Sequence, residues 1–283
     1  VYQFHHGGKN LWLLYHFFYR FTIKLMAKVL GIINIKGGVG KSTTSINLGA
    51  YMAALGKHVL IVDLDPQANA SVGLGVKLEK DHYSIYHALV SDVEPGALIK
   101  KTSIFNLDIL PSSESLAGAN VELVDFKNRE LQLKKVLNKV KDNYDFVLID
   151  CLPSVGILNV NALAASDYIL IPVQSEYFAL AGLDQLLTVV DLVKKYLNPN
   201  LKILGVAVTM FDKRNESDRN ILNQVHKSFP GHVFNTAIPR QVSFAEAPSL
   251  GKSILQHDSL SRGARAYREL AIEVMAQIFS SNK

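Results

Sequence analysis

The stretch Lys36-Gly37-Gly38-Val39-Gly40-Lys41-Ser42-Thr43 holds the glycines, lysines and hydroxyls that a polyphosphate needs around it. Gly37, Gly38 and Gly40 let backbone N–H groups curl around phosphate oxygens without a Cβ in the way. A helix starting near Lys41 would aim its positive end at the same anion. Lys41 has the reach for the β- and γ-phosphates, and the Ser42 hydroxyl is placed to ligand Mg²⁺. A glycine-rich turn alone would equally well be a bare left-handed turn. Lysine and serine at the required places turn the expectation to a nucleotide site spanning Lys36 to Thr43, with Val39 and Thr43 part of the loop.

Two acidic segments follow at positions suited to the same chemistry. Val62-Asp63-Leu64-Asp65-Pro66-Gln67 ends an apolar run, and alternation puts both carboxylates on one side of an extended chain. A carboxylate near the terminal phosphate can orient or deprotonate the attacking water. Either carboxylate is placed for such contact, and Asp63 is expected to act instead as a supporting partner or turn cap. The stretch from 65 to 75 is rich in Gly, Asn, Ser and Ala, which suits either a nucleotide-sensing switch or a plain flexible loop. Phe146-Val147-Leu148-Ile149-Asp150 is an apolar run closed by an acid, and Asp150 is expected to hold Mg²⁺ through water. Cys151 reads as a small buried residue, since no histidine stands beside it in sequence.

The elements that must position these groups are visible in the hydrophobic pattern. Short, mostly apolar runs (29–35, 58–62, 107–110, 146–149, 168–173, 203–210) alternate with helical patterns at 42–55, 84–90, 129–141, 157–165, 180–197, 215–229 and 261–278. A short extended piece is expected to run to Pro239. Such alternation predicts an α/β fold with a mostly parallel, twisted sheet and helices on both faces. One domain is expected from 26 to 283, with no internal repeat or low-complexity linker.

Composition narrows the function classes. With 48% apolar and 19% charged residues the chain has material for a sizeable core. A single cysteine excludes a disulfide or a cysteine-ligated cluster within one chain, which suits a reducing cytosol. Of the net charge of +5, Lys9, Arg20 and Lys24 supply three, which leaves +2 for the remainder, so nucleic-acid binding must rest on local clusters. Residues 1–25 differ from the rest: they carry Trp12, a dense aromatic run, His5–His6 and no acid. They are expected to be an extension outside the native domain, with translation starting at Met26. His16, Arg20 and Lys24 interrupt the run 11–25, which falls short of the roughly 20 apolar residues of a membrane span.

The loop departs from the usual GxxxxGK[ST] pattern, because Ile35 stands at the first glycine and Lys36 adds a second lysine. In this it resembles the deviant Walker A motif of the ParA/MinD family of P-loop NTPases. The likeness extends from Met26 to the C-terminus, through Leu116-Ala117-Gly118-Ala119, Ile171-Pro172-Val173-Gln174-Ser175-Glu176-Tyr177, Ile238-Pro239-Arg240, the segment 245–252 and Ser261-Arg262-Gly263-Ala264. Together these look like the short ParA group called Soj. The resemblance implies an Mg²⁺-dependent ATPase whose two subunits sandwich two ATP molecules. Lys36 would reach the partner's nucleotide, Lys41 and Asp65 would serve catalysis, and Met210 and Pro239 would flank the adenine. Leu152 stands where the family commonly shows a first proline, so a small local backbone difference is expected.

The resemblance also implies a homodimer formed with ATP, a ParB-like partner, non-specific DNA and a cytoplasmic, nucleoid-associated location, in service of chromosome or plasmid partition. Arg214 matches a DNA-contacting position. Ser243 replaces a second such arginine, and Arg219, Arg240 and Lys252 are expected to contribute, with Lys227, Arg262 and Arg265 as further basic residues. Phosphate contacts need positive charge in register and make binding salt-sensitive. Two other classes remain open: a membrane-associated MinD-like ATPase and an ATPase that positions another cargo. The first needs a C-terminal amphipathic helix with a basic face. Ala264, Tyr267, Leu270, Ala271, Val274 and Ile278 follow the helical period, but the other face mixes Arg265 and Arg268 with Glu269, Glu273 and Gln277, so the helix is expected to pack in the core.

Overall fold

The computed structural model describes residues 27–77, 82–175 and 179–280. The expectations for residues 1–26, and for Glu176 and Tyr177, lie outside them. The strands are β1 (Lys28–Ile32), β2 (Val59–Leu64), β3 (Lys100–Lys101), β4 (Leu107–Leu110), β5 (Phe146–Cys151), β6 (Tyr168–Gln174) and β7 (Lys202–Thr209). They form a sheet in the order β3-β4-β2-β5-β1-β6-β7. Every pairing is parallel except that of β3 with β4.

Twelve α-helices accompany the described strands: α1 (Lys41–Ala54), α2 (Asn69–Gly73), α3 (Ile85–Val90), α4 (Pro95–Leu98), α5 (Ala119–Glu122), α6 (Gln132–Asn138), α7 (Ile157–Ala165), α8 (Ala179–Tyr196), α9 (Glu216–Ser228), α10 (Ser243–Ser249), α11 (Ile254–His257) and α12 (Arg262–Ser280). Strand alternation explains why both faces are covered. Leu60, Val62, Val147 and Ile149 pack into one core with α3, α6, α7 and α8. Val59, Ile61, Phe146 and Leu148 point the other way, into a second core with α1, α11 and α12.

The apolar face of α12 is spent in that second core. Ala264, Leu270, Ala271, Val274 and Ile278 are fully buried, and each large aliphatic among them stabilises the fold by about 1.5–3 kcal/mol on leaving water. The Tyr267 hydroxyl lies 3.2 Å from Thr44 Oγ1 and ties α12 to α1. No described helix is long and apolar enough to cross a membrane.

The strand and helix positions follow the hydrophobic pattern, with corrections at the ends and in the irregular stretches. The pattern at 129–141 is one helix in periodicity, but it folds as a 3₁₀ turn (Arg129–Leu131), α6, and a second 3₁₀ turn (Lys141–Asn143). The glycine- and serine-rich stretch after Asp65, which suits a switch or a plain loop by composition, contains the short helix α2. Parallel pairing brings the C-terminal ends of β1, β2 and β5 to one edge, with Asp63 beside Asp150 in register. Ligands of open α/β sheets sit at that edge.

Candidate nucleotide site and basic clefts

The loop from Ile33 to Lys41 leaves β1 at the centre of the sheet. Asn34 anchors its start: its amide donates to Pro172 O at 2.8 Å, and its Oδ1 accepts from Lys36 N at 3.0 Å. Gly40 then turns the chain into α1 with φ 85°, a left-handed conformation that favours glycine. Thr209, at the end of β7, donates from Oγ1 to Val39 O at 2.9 Å and clips the loop from the other side. Gly37 and Gly38 are exposed, Lys36, Ser42 and Thr43 are half-buried, and Lys41 is buried.

Lys41 Nζ donates to Lys36 O at 2.8 Å, so the ammonium is folded back across the loop that surrounds it. Burial holds its pKa below the usual lysine value, opposed by the charges of Asp150, Cys151 and Asp65. Asp150 Oδ1 accepts from Ser45 Oγ at 2.8 Å, and the Ser42 hydroxyl nearby favours the ionised form of this carboxylate. Its Oδ2 is fully buried and has no partner. An orphaned carboxylate oxygen beside a serine hydroxyl is the donor set that Mg²⁺ uses when it binds through one protein hydroxyl, water and phosphate. Ser42 and Asp150 therefore fit that ion. Among the described residues, no cluster of three His, Cys, Asp or Glu side chains offers a metal site.

Asp63 and Asp65 take different positions. Asp63 is fully buried, and its Oδ2 accepts from Ser71 N at 2.8 Å and Ser71 Oγ at 2.7 Å. Its Oδ1 accepts from Asp65 N at 3.2 Å. This carboxylate ties β2 to α2. Asp65 stands just past the strand, with Oδ1 accepting from Gln67 N at 2.9 Å. Burial raises the pKa of both Asp63 and Asp150, and the charge of Asp63 adds to the rise at Asp150. Cys151 is buried, and burial pushes its thiol well above the usual range, so it has no nucleophilic character.

Met210 and Pro239 come together although 29 positions separate them in the chain. Phe211 bridges to Pro239 in parallel fashion, with Phe211 N donating to Ile238 O at 3.0 Å. Met210 has a left-handed φ of 56°, and its carbonyl accepts from Ser175 Oγ at 3.3 Å. Pro239 lines a cleft of about 580 Å³ with Arg214, Arg240, Arg262 and Arg265.

The basic residues divide between two places. Arg214 is exposed but not free: Nη2 lies 2.7 Å from Asp212 Oδ2, while Nε and the backbone N each donate to Oδ1 at 3.0 Å. This fork holds the Asp212 carboxyl well below its ordinary pKa. Asp212 is itself fixed, since its backbone N donates to Asp218 Oδ2 at 2.8 Å. Arg219 donates to Lys213 O at 2.7 Å, next to the same turn. Lys252 sits elsewhere, in a cleft of about 590 Å³ with Lys77, Lys100 and Lys101. Ser243 begins α10, where its hydroxyl accepts from Gln241 Nε2 at 3.1 Å.

Several residues that organise the site escaped sequence reading. Ser45 lies one helical turn after Lys41, and that spacing was a usable signal. Ser71, Thr209 and Asp218 had none, because each acts across a gap that only the fold closes.

The sequence matches the AAA domain family over residues 27–203. The sporulation initiation inhibitor protein Soj of Bacillus subtilis is 51% identical over 251 residues, covering 89% of this chain and 99% of its own. The chromosome-partitioning ATPase Soj of Treponema pallidum is 48% identical over 252 residues, 89% of this chain and 98% of its own. Among solved structures, cobyrinic acid a,c-diamide synthase of Mycobacterium smegmatis with a bound ATP analogue and magnesium aligns with a TM-score of 0.80 and 35% identity. That alignment covers 91% of this chain and 97% of the other. Near-full-length identity at this level, joined to a phosphate loop with two lysines, leads to one assignment: the chain belongs to the ParA/Soj family of chromosome-partitioning ATPases.

Proposed function

We propose that the protein is an ATP-driven dimer that binds DNA without sequence preference and moves a chromosome or plasmid with a ParB-like partner. The observation that carries the nucleotide part is the unpartnered Asp150 Oδ2 beside Ser42, at the mouth of a loop whose lysine is already buried. ATP and Mg²⁺ are the ligands this arrangement suits. Magnesium would neutralise phosphate charge between Ser42 and Asp150. The residues from Lys36 to Thr43 bind the phosphates, Met210 and Pro239 flank the base, and Asp65 orients the attacking water. Lys36 serves the partner's nucleotide and supplies charge stabilisation across the dimer.

Dimerisation places two sets of basic residues on one particle and raises DNA affinity through multivalency. Arg214, Arg219, Arg240 and Lys252 are the residues we assign to phosphate contact, and they place the protein on the nucleoid. The burial of the apolar face of α12 in the core favours this reading over a MinD-like membrane role. The test is gel retardation of a duplex in ATP, ADP and no nucleotide across a salt series. Retardation that needs ATP and fades steeply with salt is expected. Retardation indifferent to nucleotide would refute the switch, and ATP-dependent capture by anionic vesicles in its place would favour the membrane reading.

A further inference from the structure

We propose that the lysine cleft between the segment after α2 and the α10–α11 turn is a second contact for a nucleic-acid phosphate backbone, separate from the cleft that holds Arg214. The inference rests on the DNA-binding reading above and adds Lys77 and Lys100 to it. The cleft has a volume of about 590 Å³. Two glycines build its floor. Gly75 and Gly251 both have left-handed φ, at 77° and 64°. A Cβ on Gly251 would stand 2.7 Å from Gly75 Cα, and one on Gly75 would stand 3.1 Å from Gly251 O. Side chains at these positions would push the two walls apart, so backbone-to-backbone contact sets the shape of the groove.

The walls carry four lysines, Lys77, Lys100, Lys101 and Lys252, and no described carboxylate lines them. Lys101 is held by Asp108 at 2.7 Å. Lys77, Lys100 and Lys252 are exposed and make no ion pair among the described residues. Three like charges around one groove repel each other unless an anion joins them. The lining separates nucleic acid from an acidic protein as that anion. Protein interfaces favour aromatic residues and arginine at their centres and are depleted in lysine. Among its described residues this cleft has lysine, no aromatic side chain and no arginine. Flexible point charges without a planar fork suit an irregular row of phosphates.

The experiment uses the full chain and the double variant Lys77→Ala/Lys100→Ala, with a random-sequence duplex as the probe, ATP and Mg²⁺ present, over 50–300 mM salt. The slope of log K against log[salt] is expected to become shallower by roughly 1.8 for each subunit seated on the duplex, at about 0.9 per phosphate contact, while mass doubling with ATP is unchanged. Both lysines are exposed, so the fold tolerates their loss. A slope equal to that of the unsubstituted protein overturns the cleft assignment alone. Loss of poly-glutamate binding with an unaltered DNA slope overturns it in favour of an acidic protein. Failure of the unsubstituted protein to bind the duplex in ATP overturns the parent reading and the cleft with it.

Discussion

Thr209 offers a way to weigh how much the fold pre-shapes the phosphate loop. Its hydroxyl spans 170 positions to donate to Val39 O at 2.9 Å, and the residue is 2% exposed. Thr209→Val keeps the shape and deletes the donor. The deleted bond is worth about 1 kcal/mol net, and a carbonyl left buried without a partner costs about 1–3 kcal/mol. That cost can appear in two places. If the loop stays where it is, the folded state loses the full amount, and the melting temperature falls by about 2–4 °C per kcal/mol for a chain of this size. If the loop relaxes toward water, the fold loses little, and nucleotide binding must restore the lost order. With tenfold in affinity per 1.4 kcal/mol, ATP binding then weakens about 5- to 140-fold. Calorimetric melting and titration with ATP and Mg²⁺ read both quantities on one sample. Their sum is expected to reach about 1–3 kcal/mol. A variant that melts and binds as the unsubstituted protein does would refute the idea that β7 holds the loop.

The other expectations concern single groups. Lys41→Ala removes the buried ammonium that we assign to the phosphates and is expected to abolish nucleotide uptake; tight ATP binding in calorimetry would contradict the loop assignment. Asp65→Ala is expected to keep ATP binding, lose phosphate release and accumulate a DNA-bound dimer, and normal turnover would remove Asp65 from the mechanism. Asp212→Asn releases Arg214 from its counter-ion. It is expected to tighten DNA binding in ATP, because the guanidinium no longer has to leave a carboxylate to reach phosphate; unchanged affinity would place Arg214 outside the interface.

The glycine loop and the elements around it were legible because they are local. Strand, glycine turn and helix are consecutive from Lys28 to Ala54, and Asp65 and Asp150 each follow an apolar run. The strand at Leu107–Leu110 and the helix at Ile157–Ala165 coincide with their patterns for the same reason. What escaped depends on partners far away in sequence. The stretch holding α2 has poor helix formers, and its order comes from Asp63 bonding Ser71 and from the close packing of Gly73 against Ile46 and Pro248. The strand Lys100–Lys101 exists only because β4 offers it an edge. Proline disfavours a helix interior, yet α10 forms around Pro248 as a short segment that ends one residue later. The Asp212–Arg214 fork was within reach, two residues apart, but spacing alone does not show that an exposed arginine is already paired.

Light scattering of the purified protein in ATP with Mg²⁺, in ADP with Mg²⁺ and without nucleotide tests most directly whether the loop grips a triphosphate so that two copies close around it. The account predicts a doubled mass in ATP alone, strongest in the Asp65→Ala variant and absent in Lys36→Ala despite retained ATP uptake. A mass that is the same in all three conditions would contradict it.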